Sequence, residues 1–95
     1  MRFEWDARKA RSNFDKHSVS FELAQEIWDD PFRLTRPDFS PEGEERWWTL
    51  GRVEPYLFLV VVYTERMERD GEVLRLISAR KATPRERRLY EEGSA

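Results

Sequence analysis

The run Tyr56-Leu-Phe-Leu-Val-Val-Val-Tyr63 constrains the fold more than any other stretch of the chain. It is rich in β-branched and aromatic residues and shows no polar alternation, so it predicts a central strand covered on both faces. At eight residues the run is too short to cross a bilayer as a helix. A strand buried on both sides needs neighbours in the sheet and layers above and below it. Flanking segments supply both. Arg46 to Val53 reads as a strand, Glu54-Pro55 as the turn joining it to the central strand, Asp70-Gly71 as a second turn, and Val73 to Lys81 as a further strand. Three consecutive strands with short connections predict an antiparallel meander.

The helices come from other signals. Phe3 and Trp5 alternate with Arg2 and Glu4, which suggests a short N-terminal strand, and Asp6 is placed to cap a helix. Ala7, Ala10, Phe14 and His17 recur at three- and four-residue spacing and predict an apolar stripe with a polar end. Ser20 caps a second helix bearing Ala24, Ile27 and Trp28 on one face, and Asp29-Asp30-Pro31 stops it. Residues 31–45, with three prolines and Gly43, read as an extended loop. Thr83-Pro84-Arg85-Glu86 opens the last helix as a capping box with Pro at the first helical position, and Leu89 and Tyr90 offer its packing contacts. The order is β-α-α-β-β-β-α. It predicts one α+β domain over residues 1–95, an antiparallel sheet with two N-terminal helices on one face and a short C-terminal helix. The 38% of charged residues tends toward disorder, but 13 aromatic residues, four of them Trp, offer enough apolar surface for a folded core.

The chain has no Cys and one His, so thiol chemistry and a spaced zinc-ligand set are both missing, and no metal or cofactor is expected. The N-terminal residues lack the apolar core of a signal peptide, which points to a cytoplasmic protein without a membrane anchor. The formal net charge of -2 hides a segregation. Between Arg75 and Arg88 six basic residues (Arg75, Arg80, Lys81, Arg85, Arg87, Arg88) meet a single acid, Glu86. A local patch of this kind suits a polyanion.

Several blocks in order, Phe3-Glu-Trp-Asp6, His17-Ser-Val-Ser-Phe-Glu22, Asp29-Asp-Pro31, Gly43-Glu-Glu-Arg-Trp47, Leu50-Gly51, Tyr63-Thr-Glu-Arg66, Ile77-Ser-Ala-Arg-Lys-Ala-Thr83, Glu86-Arg-Arg88 and Tyr90-Glu91, resemble the BrnT family of toxins from bacterial type II toxin–antitoxin systems. The similarity spans nearly the whole chain. Trp47-Trp48 and the loop Arg66-Met-Glu-Arg-Asp-Gly71 depart mildly from it. The resemblance implies a small RelE-like fold and a ribonuclease that blocks translation. It also implies a BrnA-like antitoxin with a ribbon-helix-helix DNA-binding part, the pair contacting operator DNA only as a complex.

Metal-free RNA cleavage needs a base for the 2′-hydroxyl, an acid for the leaving oxygen, and cations for the charge growing on phosphorus. Arginine suits the third role through its planar, permanently charged fork. If Leu74 and Leu76 face the helices, Arg75 faces outward; simple alternation puts Arg80 on the opposite face, though at a strand end where alternation binds less tightly. Arg75 and Arg80 are the first candidates for phosphate contacts, with Lys81 third. Arg66 ends the adjacent strand. Glu65 beside it is either a base or an ion-pair partner of an arginine. Glu45 and Arg46 approach from the preceding strand. Tyr63 is either a proton donor or a core aromatic. His17 is either a titrating group or a cation at a helix C-terminus. Arg85, Arg87 and Arg88 extend the phosphate track, bind an antitoxin segment, or stay solvated. A non-catalytic module that binds nucleic acid or an antitoxin is the competing reading.

Overall fold

The computed structural model describes residues 1–39, 43 and 45–93. The chain runs β1 (Arg2–Glu4), α1 (Ala7–His17), α2 (Phe21–Ala24), a 3₁₀ turn (Gln25–Asp29), β2 (Leu34–Phe39), β3 (Glu45–Glu54), β4 (Leu57–Glu68), β5 (Gly71–Lys81) and α3 (Pro84–Gly93). The strands form one sheet in the order β1-β5-β4-β3-β2. As the apolar run demands, β4 lies in the middle. The α+β class holds. Strands β2 to β5 are antiparallel, and β1 adds a parallel pairing to β5, with Glu4 opposite Arg75.

Part of the segment expected as a loop is strand β2, which pairs with β3 from Leu34 opposite Leu50 to Phe39 opposite Glu45. Pro37 hid it. A residue without an N–H is tolerated there because β2 is an edge strand, paired on one side only. The remainder of that loop at Ser40, Pro41 and Glu42, and Glu44 of the block Gly43–Trp47, lie outside the described residues.

Each helix starts where the sequence places a cap. Asp6 accepts from the N–H groups of Arg8 and Lys9 at 2.9 and 3.1 Å. Ser20 Oγ accepts from Leu23 N at 3.0 Å. Thr83 and Glu86 bond reciprocally at 2.9 and 3.2 Å. Helices α1 and α2 and the 3₁₀ turn cover one face, over a core of Val19, Phe21, Ala24, Ile27, Leu59, Val61, Tyr63, Leu74, Leu76 and Ala79. Helix α3 covers one end of the other face, over Trp48, Leu50, Phe58 and Val60 with its own Tyr90. Each buried Leu, Ile or Phe of these clusters contributes about 1.5–3 kcal/mol. The stripe expected on α1 is displaced: Phe14 is half exposed, and Asn13 is the buried residue of that helix. On α3, Tyr90 packs as expected, whereas Leu89 stays partly exposed.

Asn13 is buried for a reason. Strand β1 stops pairing at Glu4, which leaves the outer edge of β5 open beyond Arg75. The Asn13 amide fills that gap. Its Nδ2 donates to Ala79 O at 2.8 Å and to Val19 O at 3.2 Å, and its Oδ1 accepts from Ala79 N at 3.1 Å. One side-chain amide thus takes the place of a peptide group in a neighbouring strand.

Asp30 joins the layers in a similar way. Its Oδ1 accepts from Phe32 N at 2.9 Å, and its Oδ2 accepts from Arg52 N at 2.9 Å and from Tyr90 Oη at 2.7 Å. Burial opposes its charge, but these donors outweigh burial and keep the carboxyl below its ordinary range. Burial and the same bond push the Tyr90 phenol up to about 12.

Candidate functional site

The face of the sheet left uncovered beyond α3 carries the arginines, and a bulge decides which of them. Val62 pairs with Ser78 but Tyr63 pairs with Leu76, so Ile77 is an extra residue in β5. Leu74 and Leu76 precede the bulge and Ala79 follows it, and all three join the helix-side core. Arg75 therefore turns to the open face, as alternation predicts. Beyond Ile77 the alternation is shifted by one. Arg80 pairs with Val60, a member of the α3-side cluster, and so also takes the open face. Unbroken alternation would have put these two arginines on opposite sides. No Gly, Pro, Asn or Asp stands beside Ile77 to signal the bulge.

Around Arg75 the groups form a chain of ion pairs drawn from three strands. Glu4 of β1 holds Arg66 of β4 with both oxygens, at 2.6 and 3.1 Å, and accepts from Arg75 Nη1 at 3.2 Å. Arg66 Nε also donates to Glu68 at 2.8 Å, and Arg2 donates to the other Glu68 oxygen at 3.0 Å. The hydrogen bonds from Arg66, with help from Arg75 and against a smaller opposing effect of burial, lower the Glu4 carboxyl to about 2. Arg66 is held well above its ordinary range by Glu4 and then Glu68.

Arg80 has its own partner. Its guanidinium donates to both Glu86 oxygens, at 2.7 and 2.9 Å, and to Lys81 O at 3.3 Å. This is the Glu86 that closes the capping box of α3, so one carboxylate fixes both the helix start and the arginine. The bond from Arg80 is the main cause lowering Glu86 to about 2. Between the two arginine centres the face presents Thr64, opposite Arg75, and Ser78, opposite Val62. Arg46, two positions before Trp48, takes the same face, and Arg36 stacks over the Trp48 ring at 3.9 Å. Arg87 stacks over Phe58 at 4.6 Å, and Arg85 and Arg88 are exposed on α3.

The sheet separates other candidates from these. Glu65 pairs with Leu74 and follows the helix-side parity of Tyr63, so it projects to the face opposite Arg66 and Arg75. Burial, then the charge of Glu72 and the hydrogen bond between the two carboxyls, raises its pKa, with Glu45 adding to the repulsion. Lys81, opposite Leu59, also lies on the helix-side face. His17 is half-buried at the end of α1, on the helix side of the sheet. Tyr63 is a core aromatic, bonded through its hydroxyl to Thr49 Oγ1 at 2.8 Å and packed edge-on against Trp28. Sequence reasoning missed Glu4 as the link between Arg66 and Arg75. Only part of its signal was present: the alternation of β1 set Arg2 and Glu4 on the face away from Phe3 and Trp5, but not the strand that β1 joins.

Among the described residues no group of three or more His, Cys, Asp or Glu is placed to hold a metal ion, and no helix is long and apolar enough to cross a membrane. The open face therefore offers fixed guanidinium groups flanked by hydroxyls. That arrangement can grip a phosphodiester and stabilise extra charge on it.

Residues 5–86 match the model of a family described as "Ribonuclease toxin, BrnT, of type II toxin-antitoxin system". No curated protein matches the chain. A 1.1 Å crystal structure of the Brucella abortus ribonuclease toxin BrnT is similar in fold, with a TM-score of 0.66 and 21% identity, over 87% of this chain and 97% of that one.

Proposed function

We propose, because this chain belongs to the BrnT family of ribonuclease toxins of type II toxin–antitoxin systems, that its open sheet face cleaves RNA without a metal ion and so inhibits translation in the cytoplasm. The whole chain acts as one toxin domain. The observation that carries the reading is the shared orientation of Arg75 and Arg80, which the Ile77 bulge produces. A phosphodiester laid across β5 between them meets guanidinium groups on both sides.

In this reading the RNA 2′-hydroxyl gives its proton to water as its oxygen attacks the adjacent phosphorus, the bond to the 5′-oxygen breaks and that oxygen takes a proton from water, and Arg75, Arg66 and Arg80 stabilise the charge that builds on the phosphoryl oxygens. Arg46, Arg85 and Arg88 guide the flanking backbone. Glu4 and Glu86 are poor proton acceptors at neutral pH, since their arginines hold both near 2. They orient cations instead of moving protons. Glu65, Lys81 and His17 stand on the other side of the sheet, away from this face. A BrnA-like ribbon-helix-helix antitoxin neutralises the toxin, and the pair binds operator DNA.

The test is RNA cleavage by the purified protein in excess EDTA, alongside Arg75→Ala and Arg80→Ala variants of unchanged fold. Cleavage that survives EDTA and falls by ~10²-fold or more in each variant is the expected result. A folded protein that leaves RNA intact yet binds its antitoxin tightly overturns the reading in favour of a non-catalytic binding module. That second reading draws on one observation, that Glu4 and Glu86 already occupy both arginine centres.

A further inference from the structure

Glu4 holds two guanidinium groups together, those of Arg66 and Arg75. Arg66 lies on β4 opposite Val73, and Arg75 lies two positions further along β5. Left alone, two like charges on neighbouring strands repel and their long side chains splay apart. Glu4 reaches them from the third strand because β1 pairs in parallel with β5, in the register that sets Glu4 directly opposite Arg75. One of its oxygens accepts from both arginines, at 2.6 Å from Arg66 and 3.2 Å from Arg75. Its other oxygen completes the fork with Arg66 at 3.1 Å. The strand that delivers it is anchored on the opposite face by Phe3, which packs edge-on against Trp28 with ring centroids 5.1 Å apart.

We infer that Glu4 is a positioning residue for RNA cleavage: it locks Arg66 and Arg75 into a paired cationic cradle, so that both point at one phosphoryl group. The inference rests on the ribonuclease reading above. Two guanidinium groups fixed before substrate arrives stabilise a charge that develops later without reorganising at that moment. The cradle's geometry is held by Glu4 on both arginines and, on Arg66, by Glu68 as well. A carboxylate also competes electrostatically with the phosphate. Removing its charge is therefore expected to leave RNA binding unchanged or tighter while chemistry slows. A carboxylate that only stabilised the fold would not split the two parameters in that way.

The test compares wild type with Glu4→Gln, Glu4→Asp, Arg75→Ala and the double variant Glu4→Gln/Arg75→Ala, using a single-stranded RNA oligonucleotide and measuring kcat, KM and Tm for each. Expected is a kcat lowered by ~10-fold or more in Glu4→Gln with KM unchanged or reduced, because misplaced transition-state donors cost rate and not binding. Glu4→Asp keeps the charge on a shorter stem and recovers part of the rate. In the Arg75→Ala background Glu4→Gln adds little further loss, since its effect passes through the arginine pair. Glu4→Gln with wild-type kcat, beside an inactive Arg75→Ala, overturns the positioning role and leaves the ribonuclease reading standing. So does a loss in Glu4→Gln that multiplies fully with that of Arg75→Ala. A wild-type protein that does not cleave, or an Arg75→Ala variant of full activity, overturns the ribonuclease reading and the inference together.

Discussion

Arg75 and Arg80 are five positions apart on one strand, yet both leave the same face of the sheet, because Ile77 between them has no partner on β4. The span between their backbones is about 15 Å at the rise of an extended strand. A phosphodiester laid across β5 within that span has one arginine on each side of it.

Replacing each arginine by lysine separates charge from geometry. Arg80 uses both ends of its fork on Glu86, and Arg75 shares Glu4 with Arg66. Lysine keeps the charge but is a flexible point cation. Arg75→Lys and Arg80→Lys are each expected to lose about tenfold or more in kcat/KM on RNA, while the far-ultraviolet spectrum stays unchanged. Lysine variants at wild-type kcat/KM would show that only net charge matters on this face.

Asn13→Ala removes the amide that completes the open edge of β5. It strands the N–H and C=O of Ala79 together in the core, and the carbonyl of Val19 with them. The expected cost is about 2–3 kcal/mol, read as a lower midpoint in urea denaturation and a Tm lower by roughly 10 °C or more. Asn13→Asp is expected to be worse, because its second oxygen faces two carbonyl oxygens. Hydrogen exchange at the Ala79 amide rises in both variants. An unchanged midpoint in Asn13→Ala would mean that water satisfies Ala79 equally well.

Much of this architecture was legible in the sequence. The capping residues Asp6, Ser20, Thr83 and Glu86 speak through local bonds, and the apolar run of β4 speaks through its lack of alternation, so both hold in the folded protein. What stayed hidden depends on partners far along the chain. Strand β2 is a strand only because β3 accepts it; its own Pro37 and charged residues read as loop. Asn13 looks like surface until a strand edge 66 residues away needs an amide. The Ile77 bulge has no local mark, yet it controls where Arg80 points. The candidate site was therefore legible in its residue types and not in its geometry. Arg75 could be oriented from Leu74 and Leu76, whereas Glu4 could not be linked to it without the parallel register of β1.

Gly51 marks where the 3₁₀ turn meets β3. A Cβ there would stand 2.7 Å from Ile27 Cβ and 3.3 Å from Ile27 O, neither of which is the far end of a flexible side chain. Gly51→Ala is expected to push the turn away from the sheet and cost about 1–3 kcal/mol in chemical denaturation. Because Arg52 N is the donor to Asp30 Oδ2, the same displacement loosens the Asp30–Tyr90 link that docks α3. A Gly51→Ala protein as stable as wild type would show that Ile27 moves aside without cost.

Acid titration of stability tests the Arg80–Glu86 pair. The Glu86 carboxyl is at about 2 in the folded protein against an ordinary 4.5, and its side chain is only 16% exposed. A lowered folded-state pKa means that the unfolded chain takes up the proton first as pH falls. The contribution is therefore fully present above pH 4.5, declines between 4.5 and 2, and is absent below that. Its size is up to roughly 3 kcal/mol by linkage. Glu4, Asp6, Asp30 and Glu68 are also lowered and act with the same sign, so the wild-type slope alone does not isolate the pair. Glu86→Gln does isolate it, since glutamine can still close the capping box on Thr83 N while losing the charge. The expected outcome is that urea-unfolding free energy of Glu86→Gln falls less steeply than that of wild type between pH 4.5 and 2, the two curves converging at the acid end. Parallel curves across that window would show that Arg80 gains its orientation from the surrounding backbone and not from Glu86.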